Sequence, residues 1–214
     1  MKIVKPEFNI TALTEADPIR LMRHLEAMGR ICYQSEGAIT EDSYKQFLKN
    51  IIQRGHEAVL EHATVTAVVT CDRGVSHEIV RHRIASYCQE STRYCNYSKG
   101  KFGEEITVIE PCFWKESDPE YAAWLNICSK AEDAYFDLLL SGATPQEARS
   151  VLPNSLKTQI AITMNIREWR HFFRLRCSPA AHPQMAEVAK LGLIEMYDYF
   201  PVLFKDVYLE VFDA

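Results

Sequence analysis

No stretch of this chain approaches the roughly 18 consecutive apolar residues that a membrane helix needs. The first residues, Met1-Lys2-Ile3-Val4-Lys5-Pro6, lack the apolar core of a secretory signal, so a cytoplasmic protein is expected. Cys-x-x-Cys is absent although there are seven cysteines, an odd number, which excludes zinc-ribbon and thioredoxin-like readings. Reduced thiols scattered through core and loops fit instead. Glycine is scarce, with eight residues and neither Gly-x-Gly-x-x-Gly nor a P-loop among them, so Rossmann and Walker-type phosphate cradles are excluded. Gly-x-Ser-x-Gly is missing too, and with it the hydrolase elbow. His56-Glu57-Ala58-Val59-Leu60-Glu61-His62 has leucine where a zinc-protease helix needs its second histidine, so no metal site is expected. There is no repeat, low-complexity tract or linker. Positive charge is short overall: the net charge is −5, which argues against broad attraction to nucleic acid.

What is present reads as an ordinary globular chain of 214 residues, 47% hydrophobic and 25% charged, expected to be one domain over 1–214. Residues 2–13 read as an irregular extended start. Apolar residues at steps of three and four predict helices over 16–33 and after Thr40-Glu41-Asp42, with Thr40 as N-cap and Gly55 as the stop. Residues 63–71 are uncharged and β-branched, the clearest strand. A turn at 72–74, a helix from about Ser76, a loop over 87–102 and a short strand at 105–109 follow. Then come a long helix over 117–141, a helix opened by Pro145, a strand over 155–164, a helix over 166–176 and a last helix over 183–199. This mixture predicts a compact α+β domain, a mixed sheet flanked by helices, without a doubly wound rhythm.

Charge is uneven. Residues 81–101 carry Arg81, Arg83, Arg93, Lys99 and Lys101 against Glu90 alone; residues 167–176 carry Arg167, Arg170, Arg174 and Arg176 against Glu168 alone. Two such islands in an acidic chain suggest a small polyanionic ligand, against the alternative of solvated helix faces. On a helix continued from Ser76, Glu78, Arg81 and His82 share a face. Arg83 falls among Ile79, Val80 and Ile84, where it meets a buried anion or lies on a face open to a ligand or another subunit. On 166–176, Arg176 falls amid Trp169, Phe172 and Phe173, opposite Arg167, Arg170 and Arg174. It therefore points inward, or else the helix end frays and Arg176 reaches water. The loop Gln89-Glu90-Ser91-Thr92-Arg93, with two hydroxyls and an arginine, suits phosphate.

Arg81-His82-Arg83, seven residues, then Ser91 resembles the signature of flavin-dependent thymidylate synthases. The surrounding run from Arg81 to Tyr87 and on through Gln89 to Tyr94 resembles the same stretch of that family. Gly55-His56-Glu57 with Glu61-His62, Glu147 to Pro153, and Asn165-x-Arg167 with Leu175-Arg176 resemble its other blocks, in its order, over roughly 20–200. The resemblance implies a compact fold particular to that family and conversion of dUMP to dTMP without a cysteine nucleophile. Methylenetetrahydrofolate donates the carbon, and FAD reduced by NADPH donates the hydride. It implies a homotetramer whose subunits share sites, which lets a short chain serve several large ligands. By position, Ser91 and Arg93 hold the dUMP phosphate, with Arg149 from a neighbouring subunit. Glu78, Arg81, Gln89, Glu90 and Thr92 line the nucleotide, and Arg176 sits on the uracil as the catalytic residue. Arg81, His82, Arg83, Asn165, Ile166, Arg167 and His171 contact FAD, His56 and Glu61 lie beside its ring, and Gln89 touches both ligands. Glu78, Ala58 and His171 depart from the family's usual amide, hydroxyl and asparagine. Cys32 and Cys88 fall near the site and are read as packing residues. The rivals are a single-strand nucleic-acid module using Arg81, Arg83 and Arg93 with Tyr87, Tyr94 and Tyr97, and a nucleotide-binding protein that has lost catalysis.

Overall fold

The computed structural model describes residues 1–11 and 17–213, with backbone only at Lys101. Positions 12, 13 and 16 of the expected segments lie outside the described residues. Contacts divide the chain into two compact units: Met1–Glu7, Val69–Arg81 and Cys88–Ile160 form the first, and Phe8–Val68, His82–Tyr87 and Ala161–Ala214 the second. Strands β1 (Lys2–Val4) and β5 (Thr107–Ile109) pair in parallel as a small sheet. A four-stranded sheet has the order β2 (Glu7–Ile10), β3 (Thr64–Asp72), β6 (Lys157–Asn165), β4 (Ala85–Gln89). Thr66 bonds to Thr163, and Thr70 to Gln159; the partner number falls as β3 advances, so β3 and β6 run antiparallel. The fold is α+β, as expected, and this sheet order is not the doubly wound one.

In the second unit, α1 (Pro18–Ile31) begins with proline at its first turn and Asp17 accepting from the Arg20 N–H at 2.8 Å. It packs on α2 (Ser43–Gln53), where Gly29 is required because a Cβ there would lie 2.6 Å from the Phe47 ring. The N-cap of α2 is Asp42, not Thr40, whose N–H instead donates to Ser43 Oγ at 2.9 Å. Gly55, at φ 69°, ends the turn after α2 as expected. Its successor, Glu57–His62, is a 3₁₀ turn. Helix α6 (Ile166–Arg176) occupies the expected span and starts at Asn165, whose side chain accepts from Glu168 N–H. Its aromatic face, Trp169, Phe172 and Phe173, is fully buried with Phe204, and Trp169 donates its indole N–H to the Val65 carbonyl at 3.0 Å. Each such ring contributes about 1.5–3 kcal/mol on burial. Helix α7 (Pro183–Tyr199) matches its expected span, and a further helix, α8 (Pro201–Phe212), follows it.

In the first unit, Asp72 caps α3 (Arg73–Ile79) by accepting from Val75 N–H at 2.7 Å, so the helix starts where a turn was expected and ends before Arg81. α4 (Pro119–Leu140) covers the core of Tyr97, Ile106, Val108, Cys128, Tyr135, Ala148 and Leu156. The short helix α5 (Pro145–Ala148) opens with a reciprocal Thr144–Glu147 capping box and leads into a 3₁₀ turn at Arg149–Val151.

Candidate active site

The first unit gathers one polar cluster. Gln89, at the end of β4, donates its amide to Ser76 Oγ (2.9 Å) and Thr158 Oγ1 (3.2 Å), while Ser76 passes its own proton to the Arg73 carbonyl. The Glu90 carboxylate accepts from Lys157 Nζ (2.8 Å) and from the Tyr97 hydroxyl (3.3 Å). Burial first, then the Glu90 charge, push the Tyr97 phenol well above its ordinary range, so Tyr97 stays a donor. A turn opens at Ser91, whose carbonyl accepts from Tyr94 and Cys95 N–H, and Ser91 Oγ accepts from Arg93 N–H at 3.3 Å. Arg93 lies over the Tyr94 ring, 5.5 Å from its centroid. Arg149 donates to Thr92 Oγ1 of the same chain at 3.2 Å. Thr92 and Arg149 line a cavity of about 450 Å³ with Arg73, Ser150 and Asn154. Two guanidiniums, two hydroxyls and an amide there can hold a phosphate-sized anion.

The second unit gathers another. His82 is buried, and Tyr87 donates its hydroxyl to the His82 carbonyl at 2.6 Å. The ring has Glu168 Oε1 2.9 Å from Nδ1 and Arg176 Nε 3.2 Å from Nε2. An arginine Nε–H can only donate, so Nε2 is the acceptor and the imidazole proton sits on Nδ1. His82 is therefore neutral. Burial above all, with the Arg176 charge adding to it, lowers its pKa against the opposing pull of Glu168. The ring packs 4.9 Å from Phe172 and 5.6 Å from His171. Beside it, a cavity of about 450 Å³ is lined by Glu57, Glu61, Ile84, Asn165, Arg167, Glu168, His171 and Arg174. Arg167 is bonded to Glu61 at 2.6 Å.

Ligand atoms of His82, Glu168 and His171 come within 4.8 Å of one another, close enough for a cation. Both His82 nitrogens are already engaged, and an ion there would displace one partner and face the Arg176 charge.

Several expectations change. Because α3 stops at Ile79, the face shared by Glu78, Arg81 and His82 does not form, and Arg83 lies in no apolar arc. Arg81 and Arg83 are exposed, Glu78 is half-buried, and Ile84 is 66% exposed. Residues 85–89 are a strand, whose last three residues, 87–89, fall where the expected loop begins. The arginine that α6 buries is Arg170, at 1% exposure, while Arg176 is half-buried. Arg170 was placed on the outer side because α8, which covers that side and supplies Asp206, was not anticipated. Ile166 is a core residue whose N–H donates to Ala63. His56 is held by the Tyr33 hydroxyl at 3.1 Å and does not line the cavity. Cys32 and Cys88 are exposed, so neither packs a core. Arg73, Glu57, Glu168 and Arg174 also line these cavities, and none of them is among the ligand contacts that the sequence pattern implies. A signal for Glu168 existed: it is the one acid in the second basic island.

The fold has a solved counterpart. A crystal structure of a UMP/dUMP methylase, PolB from Streptomyces cacaoi, bound with 5-Br dUMP, superposes with a TM-score of 0.75 at 19% identity, covering 100% of this chain and 99% of that one. The profile of the family described as thymidylate synthase complementing protein matches residues 20–202. A flavin-dependent thymidylate synthase of Pyrococcus furiosus is 37% identical over 159 residues, 74% of this chain and 64% of that protein. One of Geobacter sulfurreducens is 34% identical over 184 residues, 83% of this chain and 78% of that protein. The chain belongs to this family of thymidylate synthase complementing proteins. Its match spans less than two thirds of the length of the Pyrococcus furiosus relative.

Proposed function

We propose that this protein is a flavin-dependent thymidylate synthase, a single catalytic domain that methylates dUMP to dTMP with methylenetetrahydrofolate as carbon donor. The observation that carries this reading is the family match over 20–202, which contains both His82–Glu168–Arg176 and the Gln89–Arg93 turn with Arg149. In this reading Ser91 and Arg93 take the nucleotide phosphate with Arg149 from a neighbouring copy, and Thr92 lines the nucleotide; within one chain Arg73 adds a second guanidinium beside Arg149. Glu78, Arg81, Gln89 and Glu90 line the sugar and base. Arg176 stabilises negative charge on the pyrimidine as its N3 ionises, which makes the ring electron-rich enough to attack the methylene carbon. No thiol is used in this reading; burial raises the Cys177 thiol to about 12 and Cys71 further still, so those two are poor nucleophiles.

Asn165, Arg167 and His171 would hold FAD, with His56, Glu61, Arg81, His82, Arg83, Ile166 and Gln89 as the remaining contacts that the family pattern implies. When bound, FAD supplies the hydride after reduction by NADPH. The donors Asn165, Arg167 and His171 suit an anionic cofactor, while Glu57, Glu61 and Glu168 on the same lining confine its phosphates to the donor side; about 450 Å³ takes part of a dinucleotide rather than all of it. That size fits a homotetramer in which neighbouring copies complete each site. A cofactor phosphate reaching Arg167 must compete with Glu61. Among the described residues no helix is long and apolar enough to cross a membrane. A cytoplasmic setting agrees with substrates of this kind.

Anaerobic flavin oxidation, with dUMP and methylenetetrahydrofolate added in turn, tests the proposal. Bound flavin should reoxidise only when both are present, with dTMP formed. Protein that takes up no FAD overturns the reading; tight dUMP binding without turnover points to a nucleotide-binding protein instead.

A further inference from the structure

We propose that Glu168 is a positioning residue for Arg176, acting through His82. The inference rests on the reading that Arg176 works on the pyrimidine, and it adds a residue that the sequence pattern did not single out.

Glu168 sits in the first turn of α6, where an acid is favourable for the helix alone. Its N–H is capped by Asn165 Oδ1 at 2.8 Å, while the carboxylate does not close a capping box back onto Asn165. Instead it is buried and turned onto His82 Nδ1. That bond decides which nitrogen of the imidazole carries the proton. With the proton on Nδ1, Nε2 offers a lone pair to Arg176 Nε–H. With the proton on Nε2, two N–H groups would oppose each other and the bond from Arg176 Nε to the ring would be lost. The guanidinium is rigid and planar, so anchoring Nε sets the plane of the whole fork. Phe172 and His171 pack against the ring and keep the imidazole from turning, while the Tyr87 bond to the His82 carbonyl fixes the backbone there. The charged and titratable groups around His82 are Glu168, Arg176 and His171, with Tyr87 at its carbonyl.

The test compares full-length wild type with Glu168→Ala and Glu168→Gln. Nitrogen NMR of the histidine side chains reads the tautomer of His82 without any ligand; wild type should be the neutral Nδ1–H form. In Glu168→Ala that preference should be lost, and kcat should fall roughly 10- to 100-fold, the scale set by a misplaced catalytic group. The dUMP Kd should change less than kcat. Glu168→Gln should recover most of the turnover, because its amide oxygen accepts the same bond. A wild-type His82 that is protonated or in the Nε2–H form overturns the proposal. So does Glu168→Ala at wild-type turnover, or a glutamine variant as impaired as alanine. If the alanine variant does not fold, the wild-type tautomer and the glutamine variant decide. Wild type that binds neither FAD nor dUMP sinks the functional reading instead, and leaves the tautomer result standing.

Discussion

Arg170 and Asp206 meet in a two-pronged ion pair, Nη1 to Oδ1 at 2.8 Å and Nη2 to Oδ2 at 2.6 Å, with the guanidinium 1% exposed. The same guanidinium donates to the Leu203 carbonyl, so it joins α6 to α8 through side chain and backbone together. The two partners are unequal, because Asp206 is partly exposed and also bonded to Arg174 at 2.9 Å. Asp206→Ala should therefore cost about 3 kcal/mol, since it leaves the buried guanidinium with the Leu203 carbonyl and a Glu57 carboxylate 3.6 Å away but no two-pronged partner. Arg170→Met should cost less, because methionine fills the volume and Asp206 keeps Arg174. Urea unfolding of both variants checks the order, and a reversed order would contradict this account.

Neutral burial of His82 makes stability depend on pH. Its folded pKa is lowered, chiefly by burial, so the unfolded chain takes up a proton more readily. The contribution is complete above the unfolded value of about 6.5 and is lost as pH falls toward the lower folded value. The urea midpoint of wild type should therefore drop on going from neutral to mildly acidic solution, more steeply than that of His82→Gln. Parallel profiles would show that His82 is not the linked group.

Gly192, on α7, faces the Phe8 ring so closely that a Cβ would lie 2.6 Å from two of its carbons. Phe8 cannot easily retreat, with Trp169 at 5.6 Å and Phe173 at 6.3 Å behind it. Gly192→Ala gains up to about 1 kcal/mol of helix propensity and loses about 1–3 kcal/mol to overpacking. The variant should melt lower than wild type, and Phe8→Leu in the same chain should recover part of the loss. A higher melting temperature for Gly192→Ala alone would mean that the ring has room to move.

Arg176→Lys should fold normally yet turn over far more slowly. Lysine keeps the charge but replaces a planar fork anchored on His82 with a mobile point charge. Circular dichroism and steady-state kinetics on one preparation check this. Undiminished kcat would remove Arg176 from the chemistry.

Strong helical periodicity was enough to place α4, α6 and α7, and an uncharged β-branched run was enough for β3. What escaped had weak local signals. β2 does alternate, with Phe8 and Ile10 buried between exposed Glu7 and Asn9, but four residues make a short pattern. β4 is built from small and polar residues and owes its extension to neighbouring strands. Pro201 reads as a stop after α7, although it also opens α8. Those misses propagated into the site. Without α8 there was no acid to draw Arg170 inward. Without the Asp72 cap, α3 was carried past its true end, and the Arg81–His82–Arg83 run was placed on a helical face. The Gln89–Arg93 turn is legible because its polar groups are consecutive, whereas the acids that pair the second basic island, Glu61, Asp206 and Glu210, lie far away in sequence.

The pair of hydroxyls that captures the Gln89 amide nitrogen has a bearing on ligand choice. Ser76 has already spent its proton on Arg73, so the nitrogen end of Gln89 cannot swap places with its oxygen without breaking that relay. In the proposed dUMP site, what Gln89 turns to the nucleotide is thus a lone pair, which favours a ring edge bearing an N–H over one whose corresponding edge has been alkylated.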